Sequence, residues 1–268
     1  MSDGSLAYAV TSLFDRMDIF ILIFVRLIGF FLLLPIIAGN NIPNQVKVTL
    51  AVFTAFIIFT TNKVTTVQYY DSIFGYGMLI AQELVVGLTL AFAAYAIFSI
   101  VYFAGQLIDY QIGFSMLSVL DPVSQIQVPI TGNLIYYVMM MLLVQIGGLH
   151  VLIYVIATSY DILPIGSAVL VNNADITNSL LHLLSQYFSL GAQIAMPIAG
   201  TIVVIDFMLG IMVKAAPQMN VFVIGMPIKV FIGLGILWII TPVFSSVFDS
   251  LFKLTQSTMA EFMRVMSP

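Results

Sequence analysis

Between Met78 and Ala104 the chain carries a single charged side chain, Glu83. The pattern recurs: about six apolar blocks, roughly Ile19–Ala38, Val46–Thr60, Met78–Ala104, Ile135–Ala157, Leu180–Val213 and Val221–Phe248, alternate with polar connections. About 20 apolar residues span a bilayer as a helix. Only 7% of the residues are charged, against about 25% in a soluble domain. So few charges cannot cover a soluble surface. The chain is therefore a membrane protein or the buried part of a large assembly.

The blocks do not form a tidy row of spanning helices. The second is too short, and the third and fifth are too long and hold polar residues. Pro35, Gly87, Gly147, Gly148, Pro197, Gly225, Pro227, Gly233 and Pro242 interrupt the blocks. Broken helices survive at membrane depth only where protein or water satisfies the freed backbone groups. The blocks are expected to pack against protein as well as lipid.

Three connections, Gly39–Gln45, Thr61–Ser72 and Leu163–Ser179, read as turns or solvated loops, with Asp175 or Thr177 as a helix N-cap. The fourth, Gly105–Thr131, is polar yet carries Phe114, Met116, Leu117, Val119 and Leu120, which a solvated loop does not need. After Phe248, Leu251, Leu254, Met259, Phe262 and Val265 make residues 249–268 an amphipathic tail, expected to lie on a surface or a partner. The N-terminus lacks the features of a cleaved signal peptide, so the first apolar block is expected to persist. The net charge of −4 includes no basic patch for nucleic acid, and the absence of cysteine excludes thiolate metal sites. Lys and Arg total 8 and nowhere cluster, so orientation is not readable.

Arg26, Glu83, Asp206 and Lys229 sit inside apolar blocks, where an unpaired charge costs about 2.5–3.5 kcal/mol or more. The stretch KAAPQMNVFVIGMPIK, Lys214–Lys229, places a polar knot in such a region. Pro217 cannot donate a backbone N–H and disfavours helix before it, so Pro217, Gln218 and Asn220 read as the turn of a helical hairpin. Lys214 then lies near a helix C-terminus, where its charge suits the macrodipole. Asp206 and Lys229 each lie about eleven residues from the turn centre, which puts them level on the two arms and predicts a pair. The alternative is that each snorkels or meets a neighbouring subunit. Arg26 needs an acid as well, and Glu83 and Asp109 both qualify. Such charges could form a proton pathway, but their mixed signs and scatter favour a role in joining helices and subunits.

No Walker loop, GxGxxG or HExxH occurs. His150 and His182 are single histidines without a second ligand at metal spacing, and no nucleophile–base set is readable. Neither an enzyme, a metal site nor a cofactor is expected. The 15 methionines include Met139–Met141 and Met208, Met212, Met219 and Met226 around the polar knot. They read as adaptable core filling or as a deformable lining for polypeptide.

Four segments together resemble one family. VRLIGFFLLLPIIAGNNIPNQVKVTLAVF (Val25–Phe53), GQLIDYQIGFSMLSVLDPVSQIQVPITGN (Gly105–Asn133), LPIGS (Leu163–Ser167) and DFMLGIMVKAAPQMNVFVIGMPIKVFIGLGI (Asp206–Ile236) are similar, in order and spacing, to the FliR family of flagellar biosynthetic proteins. One departure is local: the family often has Gly-His where this chain has Gly148-Leu149, so His150 receives no role. The resemblance implies an all-α membrane protein of bent and broken helical hairpins within a hetero-oligomeric export gate. It implies FliP and FliQ family proteins as core partners, FlhB and FlhA family proteins as further ones, and unfolded flagellar proteins in transit. It implies the inner membrane and the flagellar basal body as location. It also implies a pore plug at about Gln106–Val123, with Phe114, Met116 and Leu117 filling the lumen, Gly113 bending the backbone, and Gln111 and Ser115 beside them. The expected division is a single helical domain over 1–248, with a C-terminal hairpin at about 180–248, followed by the tail. The alternative is a stand-alone secondary transporter, but such proteins usually show internal repeats, and none is evident.

Overall fold

The computed structural model describes residues 3–39, 42–61, 73–114, 129–169, 174–218 and 220–268. Every regular element among them is helical: α1 Asp3–Leu33, α2 Asn44–Thr60, α3 Ile73–Ile112, α4 Ile130–Gln145, α5 Gly148–Ile162, α6 Ala174–Ala215, α7 Val221–Ile240 and α8 Val243–Met266. The chain is an all-α membrane protein. Three helices, Phe74–Ile112, Ala174–Ala215 and Val223–Ile240, are long and apolar enough to cross a bilayer. At 42 residues, α6 is about 60 Å long, roughly twice the hydrocarbon thickness.

The fourth apolar block divides at Gly147, whose left-handed backbone (φ +69°) separates α4 from α5. Two of the prolines do not end a helix. Pro197 lies inside α6 and Pro227 inside α7, as membrane helices permit when neighbouring groups re-satisfy the freed carbonyls. α1 stops at Leu33 because Pro35 disfavours helix at Leu34.

The chain forms two compact units. The first comprises Met1–Tyr95, Gly147–Leu183 and Leu254–Pro268. Its core holds Leu22, Leu27 and Phe30 of α1, Ala51 and Ala55 of α2, Val86 and Leu90 of α3, and Leu152 and Ile156 of α5. α1 and α3 meet backbone to backbone: a Cβ on Gly87 would overlap the Arg26 carbonyl, and one on Gly29 would lie 2.8 Å from the Leu84 carbonyl oxygen. Small residues permit such close crossings. The tail closes this unit. Met259, Phe262, Met263 and Met266 are buried, Ser179 Oγ bonds Glu261 Oε1 at 2.9 Å, and Val169 N–H donates to Met266 O at 2.9 Å. The tail is part of a longer helix that begins at Val243, directly after Pro242, and this part of its apolar stripe is covered by the chain itself.

The second unit comprises Ala96–Ile146 and Leu184–Lys253. Phe98, Ile100, Ala104, Ile108 and Ile112 of α3 form its spine. Phe103 meets Tyr187 and Phe188 at 5.3 and 5.4 Å between ring centroids, and Phe98 meets Phe248 at 6.3 Å. The most apolar stretch of α3 is 61% buried, against 28% in α6 and 17% in α7. Phe207, Phe231 and Trp238 are almost bare. The α6 and α7 faces need lipid or another protein to cover them.

Candidate functional site

Arg26 lies on α1 and is wholly buried. Its Nε donates to Glu83 Oε2 on α3 at 2.6 Å. Nη1 donates to Ser159 Oγ at 3.2 Å and to the Leu163 carbonyl at 3.0 Å. The guanidinium carbon stands 4.2 Å from the centroid of the Tyr160 ring, a cation–π arrangement. Glu83 Oε1 accepts the Gly166 N–H at 3.0 Å. The ion pair thus ties α1, α3, α5 and the Leu163–Gly166 turn into one joint. A buried pair of this kind is supported by each further donor and acceptor that is occupied, and here all are except the Arg26 Nη2 group, which has no hydrogen-bond partner among the described residues. The LPIG segment gives its support with main-chain atoms: the Leu163 carbonyl serves the cation and the Gly166 amide serves the anion. Gly166 adopts φ +79°, which presents its N–H to Glu83. Ser159 donates to the Ile156 carbonyl at 2.7 Å and Tyr160 to the Ile23 carbonyl at 3.3 Å, which fixes both. Neither Ser159 nor Tyr160 stands out in the sequence, and the LPIG segment is the one local signal of the joint.

Of the two acids that could have met Arg26, Glu83 does so. Asp109, near the C-terminus of α3, accepts the Thr131 N–H with both carboxylate oxygens at 3.1 Å and is almost fully buried. Three residues on, α3 ends. The amides of Gly113 and Phe114 both donate to the Asp109 carbonyl, at 3.1 and 3.0 Å, and Gly113 takes φ +98°. Gln111, Gly113 and Phe114 are half-buried. Ser115, Met116 and Leu117 lie outside the described residues. The fourth connection begins later than its polarity suggests: Gly105–Ile112 is helical, because Ile108 and Ile112 bury one face and Asp109 finds a partner on α4.

Asp206 on α6 and Lys229 on α7 form an ion pair, with 43% and 22% of their side chains exposed. The turn between these helices contains Pro217 and Gln218, and the Asn220 carbonyl accepts the Val223 N–H at 3.1 Å as α7 starts. Lys214 occupies the last turn of α6 and is exposed, as are Pro217, Gln218 and Asn220. Met139 and Met140 are buried, while Met141, Met208 and Met212 are exposed. His150 and His182 are exposed, and no group of three metal-ligating side chains occurs among the described residues.

The family model described as "Bacterial export proteins, family 1" matches residues 17–255. The chain is 30% identical to the flagellar biosynthetic protein FliR of Bacillus subtilis over 253 residues, covering 93% of this chain and 96% of that one. It is 27% identical to the FliR of Escherichia coli over 219 residues, 82% of each chain. It is 26% identical to the surface presentation of antigens protein SpaR of Shigella flexneri over 235 residues, 86% of this chain and 89% of that one. Helices of bilayer length, a buried charge joint between α1 and α3, and sequence likeness along residues 17–255 agree: the chain belongs to the bacterial export proteins of family 1, the family that includes the flagellar FliR proteins.

Proposed function

We propose that the chain is a structural, channel-forming subunit of the flagellar type III export gate in the bacterial inner membrane, at the flagellar basal body. It assembles with FliP and FliQ family proteins, adjoins FlhB and FlhA family proteins, and helps to conduct unfolded flagellar proteins. Family membership along residues 17–255 carries this proposal. The uncovered apolar surface of α6 and α7 supports an assembled state, since a protein partner would bury it. The flagellar assignment rests on the 30% identity to a flagellar relative, against 26% to the SpaR protein.

No chemical step is needed. Arg26 and Glu83 hold the first unit rigid, while Asp206, Lys214 and Lys229 serve as helix and subunit contacts around the hairpin tip. The loop that leaves α3 at Gly113 closes the conduit, with Gln111, Phe114, Ser115, Met116 and Leu117 at the constriction. Closure of this kind calls for an element of low local stability on a rigid frame. The test is deletion of Gly113–Met116 in cells carrying the whole apparatus. Leakage of ions and small solutes is expected. Unchanged membrane tightness and unchanged export would refute closure by this loop.

A further inference from the structure

We infer that Asp109 is a positioning residue that pins together the two stems of the loop between α3 and α4. α4 begins after Pro129, which occupies the N-cap position and supplies no side-chain cap. The first amides of a helix have no partner within it, and a proline at the cap leaves that need unmet. Asp109 supplies the missing acceptor from another helix, with both oxygens 3.1 Å from the Thr131 nitrogen. A carboxylate also suits the positive end of the α4 dipole.

A second contact lies one helical turn earlier. A Cβ on Gly105 would overlap the Gly132 backbone, so α3 and α4 touch main chain to main chain beside the carboxylate. On the same residue, the Asp109 carbonyl caps the end of α3 through the Gly113 and Phe114 amides. One residue thus ends α3 with its main chain and starts α4 with its side chain. The segment that departs at Gly113 and returns at Pro129 is thus held at its base.

The consequence for closure rests on the proposal that this loop seals the conduit; the pinning itself does not. The experiment compares Asp109→Ala, Asp109→Asn and the Gly113–Met116 deletion in the assembled apparatus. Three quantities are measured: proton and small-solute leak, export of a flagellar substrate, and hydrogen exchange at Thr131–Asn133 in the purified complex. In Asp109→Ala, exchange at these amides is expected to rise roughly tenfold, the loss of one good helix cap. Leak should fall between wild type and the deletion, with export retained. Asp109→Asn keeps one acceptor oxygen and should lie between Asp109→Ala and wild type. A merely structural residue would lower assembly and export together without a leak. If the deletion leaks but both Asp109 variants match wild type in leak and exchange, the pinning is overturned and closure by the loop stands. If the deletion does not leak, closure fails, and exchange alone decides the pinning: acceleration supports it, no change overturns it. Should Asp109→Ala not assemble, Asp109→Asn decides by the same exchange measurement.

Discussion

Replacing Glu83 by leucine should be among the most damaging single changes in this chain. The substitution removes the carboxylate 2.6 Å from Arg26 Nε and leaves a wholly buried guanidinium without its counter-charge. It also strips the Gly166 amide of its acceptor. Breaking a buried pair by removing one partner costs about 3–5 kcal/mol. In a chain of this size each kcal/mol moves the melting temperature by about 2–4 °C, so a drop of roughly 6–20 °C is expected. The double variant Arg26→Met with Glu83→Leu removes both charges and fills the space with apolar atoms. It should be more stable than Glu83→Leu alone, because no uncompensated charge remains. Thermal unfolding of the detergent-extracted complex, followed by size-exclusion chromatography after heating, measures all four corners of the cycle. If Glu83→Leu melts within about 2 °C of wild type, or the double variant loses the sum of the two singles, the reasoning about the joint is wrong.

Asp206→Lys should impair export, and adding Lys229→Asp should restore it, because the half-exposed pair tolerates reversal as a unit; a double variant no better than the single would show that the pairing is not what matters. Gly113→Val places a β-branched residue at φ +98°, which costs about 1–3 kcal/mol, and should expose the loop to limited proteolysis. Truncation before Leu254 removes Met259, Phe262, Met263 and Met266 from the first unit, and should lower the membrane level of the protein several-fold on immunoblots.

Most helices were legible because long apolar blocks report local hydrophobicity. Register across the α6–α7 turn was also local: residues equidistant from Pro217–Gln218 come level, and Asp206 and Lys229 do pair. Where a polar stretch is helical, pattern failed. Gly105–Ile112 looks like a loop because Asp109 is costly in an apolar helix until α4 provides its N-terminus, which lies 22 residues away in sequence. The same limit applies to Arg26. Glu83 lies 57 residues on and the Leu163 carbonyl 137, and no local rule ranks Glu83 above Asp109. Pro197 and Pro227 misled for a related reason, since a proline costs a helix only the bonds its neighbours do not replace, and sequence does not display the neighbours.

The most direct test of the central claim is assembly. The chain, tagged, is co-expressed with FliP and FliQ family proteins of the same genome, extracted in mild detergent and weighed by native mass spectrometry. A single discrete complex with a fixed number of each partner is the predicted result, with the bare faces of α6 and α7 protected from surface labelling. A well-behaved monomer or homodimer holding neither partner would contradict the export-gate account, and would make the Asp206–Lys229 pair a candidate transport site instead.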